Sequence, residues 1–232
     1  VIVPTTEARD GVAPERVDAV LRIITAAAAV HAGRVTLSCS FGGPSGMVLL
    51  DLVQRVDPAI PVFVLDTELL FPEADALIER VGARYGIHVE RVRPLRSVAE
   101  QAADDGAELW LRDPNRCCAL RKVEPLRRHL QNYDAWFTAI RRGQAATRVN
   151  TSALAFDDTN QVVKIAPLAD WDDDDVWAYV AAHDLLVNTL HFDGYPSLGC
   201  IPCTQRPGPG ADARAGRWAG FTKIECGIHD GG

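Results

Sequence analysis

The stretch Val35-Thr36-Leu37-Ser38-Cys39-Ser40-Phe41-Gly42-Gly43-Pro44-Ser45-Gly46, followed by Met47 to Val56, decides the fold class. Val35 to Ser40 is a short β-branched and apolar run, 41–46 a glycine-bearing turn, and Met47 to Val56 has apolar residues at helical spacing, so the stretch reads as strand, loop, helix. The same alternation repeats outward. Pro14 to His31 reads as a helix with Pro14 in its first turn and Gly33 beyond its end, Pro61 to Asp66 as a strand, Pro72 to Tyr85 as a helix closed by Gly86, and Ile87 to Val92 as a strand. A helix from about Cys118 to Leu130, strands at Ala135 to Ile140 and Val162 to Leu168, and a helix from Asp172 to His183 complete the pattern. This alternation predicts an α/β fold, a mostly parallel sheet flanked by helices.

The chain has 232 residues, 47% of them hydrophobic and 24% charged, enough for one core of ordinary globular composition. Periodicity stops beyond Asn188. We therefore expect one α/β domain over 1–193 and, within the same domain, a cysteine-bearing C-terminal loop and mobile tail over 194–232. Lys plus Arg number 24 against 31 Asp plus Glu, a net charge of −7, which argues against a nucleic-acid partner but leaves room for a local basic pocket around a small anion. No apolar run is long enough for a membrane span, and 1–10 lacks the basic and then apolar segments of a secretory signal, so the expected compartment is the reducing cytoplasm. Oligomeric state is left open, a homo-oligomer included.

The glycine turn can hold an anion on backbone amides at a helix start, with Ser40 and Ser45 as added donors, or can be no more than a tight turn. It lacks the Lys-Ser or Lys-Thr pair of a Walker loop. Asp66-Thr67 would end the neighbouring strand at the carboxyl edge of the sheet, where open α/β sheets bind ligands, and this pair favours a nucleotide.

Cysteine spacing is the strongest signal. Cys117-Cys118 and Cys200-Ile201-Pro202-Cys203 can make a four-thiolate site. Tetrahedral sulfur suits zinc or iron–sulfur; structural zinc usually takes ligands two to four residues apart, so the adjacent pair tilts the choice to iron–sulfur. Cys226, in the glycine-flanked Glu225-Cys226-Gly227-Ile228-His229, reads as an exposed, mobile nucleophile, whereas Cys39 lies in an apolar strand and reads as a buried structural thiol. Arg116, Arg121, Lys122, Arg206, Arg214 and Arg217 gather near the thiols in sequence, with Lys122, Arg214 and Arg217 the best anion candidates; Arg127 and Arg128 suit a solvated helix face. Arg141-Arg142 would lie just past a strand end, in reach of phosphate. The acidic run Asp172 to Asp175 fits a helix N-terminus better than a metal site. Five of the six histidines lack metal-ligand spacing and read as structural; His229 alone sits beside the candidate nucleophile.

At these residues the chain resembles the assimilatory adenylyl-sulfate reductases, the iron–sulfur branch of the family that also holds the phosphoadenylyl-sulfate reductases. The likeness is carried by Ser40-Phe41-Gly42, Leu65-Asp66-Thr67, Cys117-Cys118 with Arg121-Lys122-Val123, Arg141-Arg142, Gly199-Cys200 with Pro202-Cys203-Thr204, Arg214 with Gly216-Arg217-Trp218, and Glu225 to His229. The resemblance implies an adenine-nucleotide α-hydrolase-like fold, a [4Fe-4S] cluster on Cys117, Cys118, Cys200 and Cys203, and Cys226 as the catalytic thiol. It further implies substrate contacts from Ser40, Gly42, Gly43, Leu65, Asp66, Lys122, Arg141, Arg142, Arg214 and Arg217. The expected reaction is reduction of adenosine 5'-phosphosulfate to sulfite and AMP through an S-sulfocysteine released by thioredoxin or glutaredoxin. Where this chain has Ser45-Gly46, family members commonly carry an acidic pair, so a phosphoadenylyl-sulfate or dual preference is the alternative. Two rivals from other classes are a nucleotide-activating enzyme that thiolates RNA and a non-catalytic metal-binding regulator; the first wants a pyrophosphate loop and a basic surface, the second leaves Cys226 and the arginines without a use.

Overall fold

A computed structural model describes residues 11–229, and the reading of 1–10 lies outside the described residues. Six strands, β1 (Val35–Ser38), β2 (Val62–Leu65), β3 (Val89–Val92), β4 (Ala135–Phe137), β5 (Leu154–Asp157) and β6 (Val162–Ile165), form one sheet in the order β3-β2-β1-β4-β6-β5. All neighbours pair in parallel except β5 with β6. β2 and β4 are short and wholly apolar, as suits strands covered on both faces. β5, missed in the sequence, is an edge strand whose Leu154 and Phe156 face solvent, so no run of buried residues marks it.

Helices α1 (Pro14–Val30), α2 (Pro44–Val56) and α3 (Pro72–Tyr85) each begin with proline in the first turn, where the missing N–H costs no hydrogen bond. α2 is buried along most of its length, and Val48, Leu49, Leu52 and Val53 join Leu37, Val62, Phe137 and Ile165 of the sheet in the main core. α3 ends on Gly86 at φ 66°, a left-handed position that glycine fills without strain. Asp172 caps α8 (Asp173–Ala182) in a reciprocal box with Asp175, as the acidic run suggested.

Strands end earlier than the sequence suggested: Cys39 and Asp66 lie past β1 and β2, although Cys39 N still donates to Phe63 O at 2.9 Å. Between β3 and β4 come α4 (Val98–Asp105), α5 (Leu109–Arg112) and α6 (Pro114–Cys118), then a π-helical turn at Ala119–Val123 and α7 (Glu124–Leu130). What reads in sequence as one helix is three segments, and the wide turn falls directly after Cys117-Cys118. Such turns re-aim the side chains they carry and collect at functional sites.

Candidate functional site

Strand order reverses between β1 and β4, so the loops after these strands open a crevice at the carboxyl edge of the sheet. The loop after β1 is built rigidly. Phe41 takes a left-handed φ of 53° with its side chain buried, its carbonyl accepts from Asn188 Nδ2 at 3.1 Å, and Gly42 O lies 2.9 Å from His191 Nε2. A side chain on Gly42 would meet Leu198 at 3.3 Å, and one on Gly46 would meet Cys39 Sγ at 3.2 Å, so both glycines are needed for close packing. Ser40 is exposed and its Oγ accepts from Gly42 N at 3.4 Å. Cys39 is buried, and burial pushes its thiol up to about 12, as suits a structural role.

Arg141 comes to this loop, but from behind. Its Nε donates to Ser45 Oγ at 2.9 Å, another nitrogen donates to Trp171 O at 2.9 Å, and the last pairs with Asp173. Asp173 therefore supplies to Arg141 a carboxylate that Ser45-Gly46 lacks. Arg142 turns away and pairs with Asp170 while its Nε donates to Thr151 O at 2.8 Å. Both arginines of the Arg141-Arg142 pair thus have internal partners in this structure. Asp66 is also committed: burial raises its pKa, but Glu68 N and the Arg93 and Arg91 guanidiniums, Nε of Arg93 at 3.0 Å, hold the carboxyl below its usual range. Leu65 ends β2, half-buried beside this group.

The thiols lie beyond the same edge. Thr67 Oγ1 sits 3.3 Å from Cys200 Sγ, and Ile201 N donates to Leu69 O at 2.8 Å, so the end of β2 anchors the Cys200–Cys203 turn. Cys117, Cys118 and Cys200 are buried, Cys203 half-buried, and none of the six cysteines is in a disulfide. Burial, then the charges of Cys118, Cys200 and Cys203, pushes Cys117 up to about 12; burial and the Cys200 and Cys118 charges bring Cys203 to about 11. Cys117, Cys118 and Cys203 thus hold their protons more tightly than a free thiol, and binding a metal would release them. Cations answer that charge. Lys122 is half-buried, and although burial lowers its pKa, its charge interactions with Cys200 and Cys226 outweigh burial and raise it.

Arg121, by contrast, is wholly enclosed and structural: it donates to Thr67 O at 2.7 Å and Gln101 Oε1 at 3.2 Å and pairs with Glu68 at 2.9 Å. Arg127 and Arg128 are exposed, as read. Arg206 lies over the Tyr195 ring at 5.5 Å.

The tail differs most from expectation. Cys226 is buried, 9% exposed, packed with Cys118, Cys203 and Trp218. Three contacts dock it. Glu225 accepts from Arg148 Nε and Nη2, both at 2.7 Å, from Arg214 at 3.2 Å and from Thr147 Oγ1 at 3.0 Å. Ile228 packs beside Leu65 on the cluster of Phe63, Leu126 and Trp136. His229 stacks on Trp136, centroids 5.8 Å apart and planes 9° apart, while its carbonyl accepts from Lys164 at 3.2 Å. Burial, and then the Arg148 and Lys164 charges, drops the His229 pKa to about 3, so its ring is neutral.

Burial lowers Arg214, which shares this neighbourhood with Arg148, Arg217 and Cys226. Arg217 lies 4.6 Å above the Trp218 ring and donates to Leu198 O at 3.0 Å and Ser197 Oγ at 3.3 Å. Any side chain on Gly199 would come within 2.2 Å of its guanidinium. Lys122, Arg214 and Arg217 are thus brought together with Cys226. Sequence reading missed Arg148, Lys164 and Trp136. A lysine inside the apolar strand Val162–Ile165 was the one readable signal, since a fully buried lysine needs a partner. Two surface hollows, about 560 Å³ against α3 and β3 and about 440 Å³ on α1, lie away from the thiols; the chemistry, not the size of a hollow, locates the site.

A parallel sheet with an anion-ready loop at its switch point, beside clustered thiols and cations, defines a nucleotide-binding α/β protein with thiol chemistry. Residues 34–206 match the phosphoadenosine phosphosulfate reductase domain, and the chain belongs to that family. An adenosine 5'-phosphosulfate reductase of Rhodococcus erythropolis is 49% identical over 182 residues, 78% of this chain and 74% of that protein. One from Mycobacterium bovis is 46% identical over 202 residues, 86% of this chain and 79% of that one. Among solved structures, the phosphoadenylyl-sulfate reductase of Candida auris in its phosphate complex superposes with TM-score 0.68 at 25% identity, over 84% of this chain and 98% of that one.

Proposed function

We propose that the chain reduces adenosine 5'-phosphosulfate to sulfite and AMP in sulfate assimilation, with Cys226 as nucleophile, a [4Fe-4S] cluster as cofactor and thioredoxin, or glutaredoxin, as reductant. The observation that carries this reading is the packing of Cys226 against Cys118 and Trp218 in a basic pocket shared with Lys122, Arg148, Arg214 and Arg217. The names of the relatives favour the nucleotide without a 3'-phosphate.

In the first step the Cys226 thiolate attacks the sulfur of the phosphosulfate; the S–O bond breaks and AMP leaves with the electron pair. Lys122, Arg214 and Arg217 neutralise the charge that develops on the leaving phosphate, the electrostatic term that dominates phosphoryl and sulfuryl sites. A thiolate of the dithiol donor then attacks Cys226 Sγ, sulfite departs with the bonding pair, and the donor's second thiol resolves the mixed disulfide. The dithiol supplies both electrons. Because Cys226 is buried in the docked tail, the second step needs the tail to leave the pocket, and 194–232 is read as a docking segment of the single domain rather than a second core.

Cys117, Cys118, Cys200 and Cys203 fit the cluster: four thiols whose charges interact, on two anchored turns, with Lys122 and Arg217 beside them. Adjacent Cys117 and Cys118 are unusual for structural zinc, which favours an iron–sulfur cluster on the four sulfurs. When bound, the cluster would supply a charge facing Lys122, not electrons. Among the described residues no helix is long and apolar enough to cross a membrane, and the cytoplasm is the proposed compartment.

Sulfite release measured with the purified, cluster-loaded protein, thioredoxin and each nucleotide tests the function. A kcat/KM at least tenfold higher for adenosine 5'-phosphosulfate is expected; equal or higher values for the 3'-phosphorylated nucleotide would overturn the preference, and no sulfite from either would overturn the activity.

A further inference from the structure

The loop after β1 is held by a part of the chain that the proposed chemistry leaves without a use, the segment 188–198 that follows α8. Asn188 is 3% exposed, and both ends of its amide are engaged: Nδ2 donates to Phe41 O at 3.1 Å, and Oδ1 accepts from Leu190 N at 3.1 Å. Neither aspartate nor leucine could do both, since the position needs a donor and an acceptor at once. His191 follows, its ring edge-on to Trp177 with centroids 5.8 Å apart and Nε2 2.9 Å from Gly42 O. A carbonyl oxygen only accepts, so Nε2 carries the proton. Further on, Leu198 packs against Gly42 while its carbonyl accepts from Arg217 at 3.0 Å.

Two consecutive carbonyls of the loop are thus pinned by side chains of one segment. Both peptides are trans, and in a trans peptide the N–H points opposite to the C=O. Fastening Phe41 O to Asn188 therefore turns the Gly42 N–H the other way, and fastening Gly42 O to His191 does the same for Gly43. The sheet makes that direction matter. Val187, at the root of the segment, shares the core with Val62 and Val64 and with α2, whereas Phe63, on the opposite face of the same strand, joins Leu126 and Ile228 of the docked tail. The two N–H groups turn from the first side toward the crevice and the tail. Gly42 N has a long contact of 3.4 Å to the exposed Ser40 Oγ, and Gly43 caps the start of α2, where amides lack partners within the helix. We propose that Asn188 and His191 are positioning residues for the reaction: by pinning the Phe41 and Gly42 carbonyls they aim the Gly42 and Gly43 N–H groups at the 5'-phosphate of the nucleotide. The left-handed φ of 53° at Phe41 supports this, since so rare a conformation for a bulky residue persists only where its surroundings hold it, and Asn188 holds that peptide. The inference rests on the reductase reading and adds to it the residues that orient the phosphate.

Isothermal titration calorimetry of the anaerobically purified, cluster-loaded protein with AMP and with adenosine tests it. His191→Phe keeps a ring and loses the Nε2 donor. Its dissociation constant for AMP should rise at least tenfold, whereas that for adenosine, which lacks the phosphate, should change less than threefold. His191→Gln can present an amide N–H to the same carbonyl and should bring AMP binding back to within threefold of wild type. Asn188→Asp keeps the acceptor for Leu190 N but sets a carboxylate oxygen against Phe41 O, and should weaken AMP binding at least as much as His191→Phe. In sulfite release the losses should fall on KM, with kcat within threefold. A wild-type protein that binds no AMP overturns the nucleotide reading and this inference together. With wild-type binding intact, the inference alone is overturned if His191→Phe binds AMP as tightly as wild type, if the Phe and Gln variants behave alike, or if adenosine is lost in the same proportion as AMP.

Discussion

Glu225→Gln removes the charge that fastens the tail and keeps the size of the side chain. In the docked tail the carboxylate receives two bonds from Arg148 at 2.7 Å, one from Thr147 and one from Arg214, and these bring its pKa from 4.5 to about 2 despite burial. Each pKa unit is about 1.4 kcal/mol of preference for the ionised form, so the contact is worth about 3 kcal/mol, on the order of a hundredfold in the docking equilibrium. Because the docked pKa is lowered, this stabilisation is complete above the free value of 4.5 and is lost as pH falls toward about 2. At neutral pH the substitution alone reveals it. The assay is alkylation of Cys226 by iodoacetamide, mapped by peptide mass spectrometry. A thiol 9% exposed reacts in proportion to the undocked fraction, so Glu225→Gln should react up to about a hundredfold faster. An alkylation rate within twofold of wild type would refute the claim that the Arg148 and Arg214 pairs hold the tail.

Three further outcomes follow from named contacts. Serine in place of Cys117, Cys118, Cys200 or Cys203, one at a time, should abolish the broad absorbance near 400 nm of anaerobically purified protein together with its iron and sulfide; zinc found without iron in the wild type would reject the cluster assignment. Arg148→Ala should raise KM for the nucleotide at least tenfold, since its guanidinium already grips a carboxylate in the pocket, whereas Arg142→Ala, directed at Asp170 and Thr151, should change it less than threefold; equal effects would contradict these placements. Gly199→Ala places a methyl within 2.2 Å of the Arg217 guanidinium and should lower kcat/KM about tenfold while leaving iron content intact, and an unaffected kcat/KM would remove Arg217 from the pocket.

The parallel core was legible because its strands and helices are buried on regular periods, and proline and glycine mark where helices start and stop. β5 was not, because an edge strand with Leu154 and Phe156 in solvent alternates against no core. The two cysteine pairs stand out in the spacing, but nothing in Cys118 to Leu130 announces the π-helical turn, whose register depends on packing. The basic pocket was half legible. Sequence offers Arg141, Arg142, Arg214 and Arg217 as phosphate ligands, and only tertiary pairing shows Arg121, Arg141 and Arg142 held by carbonyls and carboxylates while Arg148 reaches the tail. Glycines around Cys226 suggested mobility, yet Ile228 and His229 find an apolar seat and a stacking partner in Trp136, and neither partner is near them in sequence.

The central claim is that Cys226, and no other thiol, takes the sulfonate. Intact-mass spectrometry of the cluster-loaded protein mixed with adenosine 5'-phosphosulfate in the absence of any thiol donor tests it directly. One added sulfonate per chain is predicted, mapped by digestion to the peptide carrying Cys226 and absent from Cys226→Ser, which should still bind the nucleotide because a serine hydroxyl is a far weaker nucleophile, not a weaker ligand. A sulfonate on Cys39 or on any of the four paired cysteines, or sulfite release by Cys226→Ser at the wild-type rate, would contradict the account.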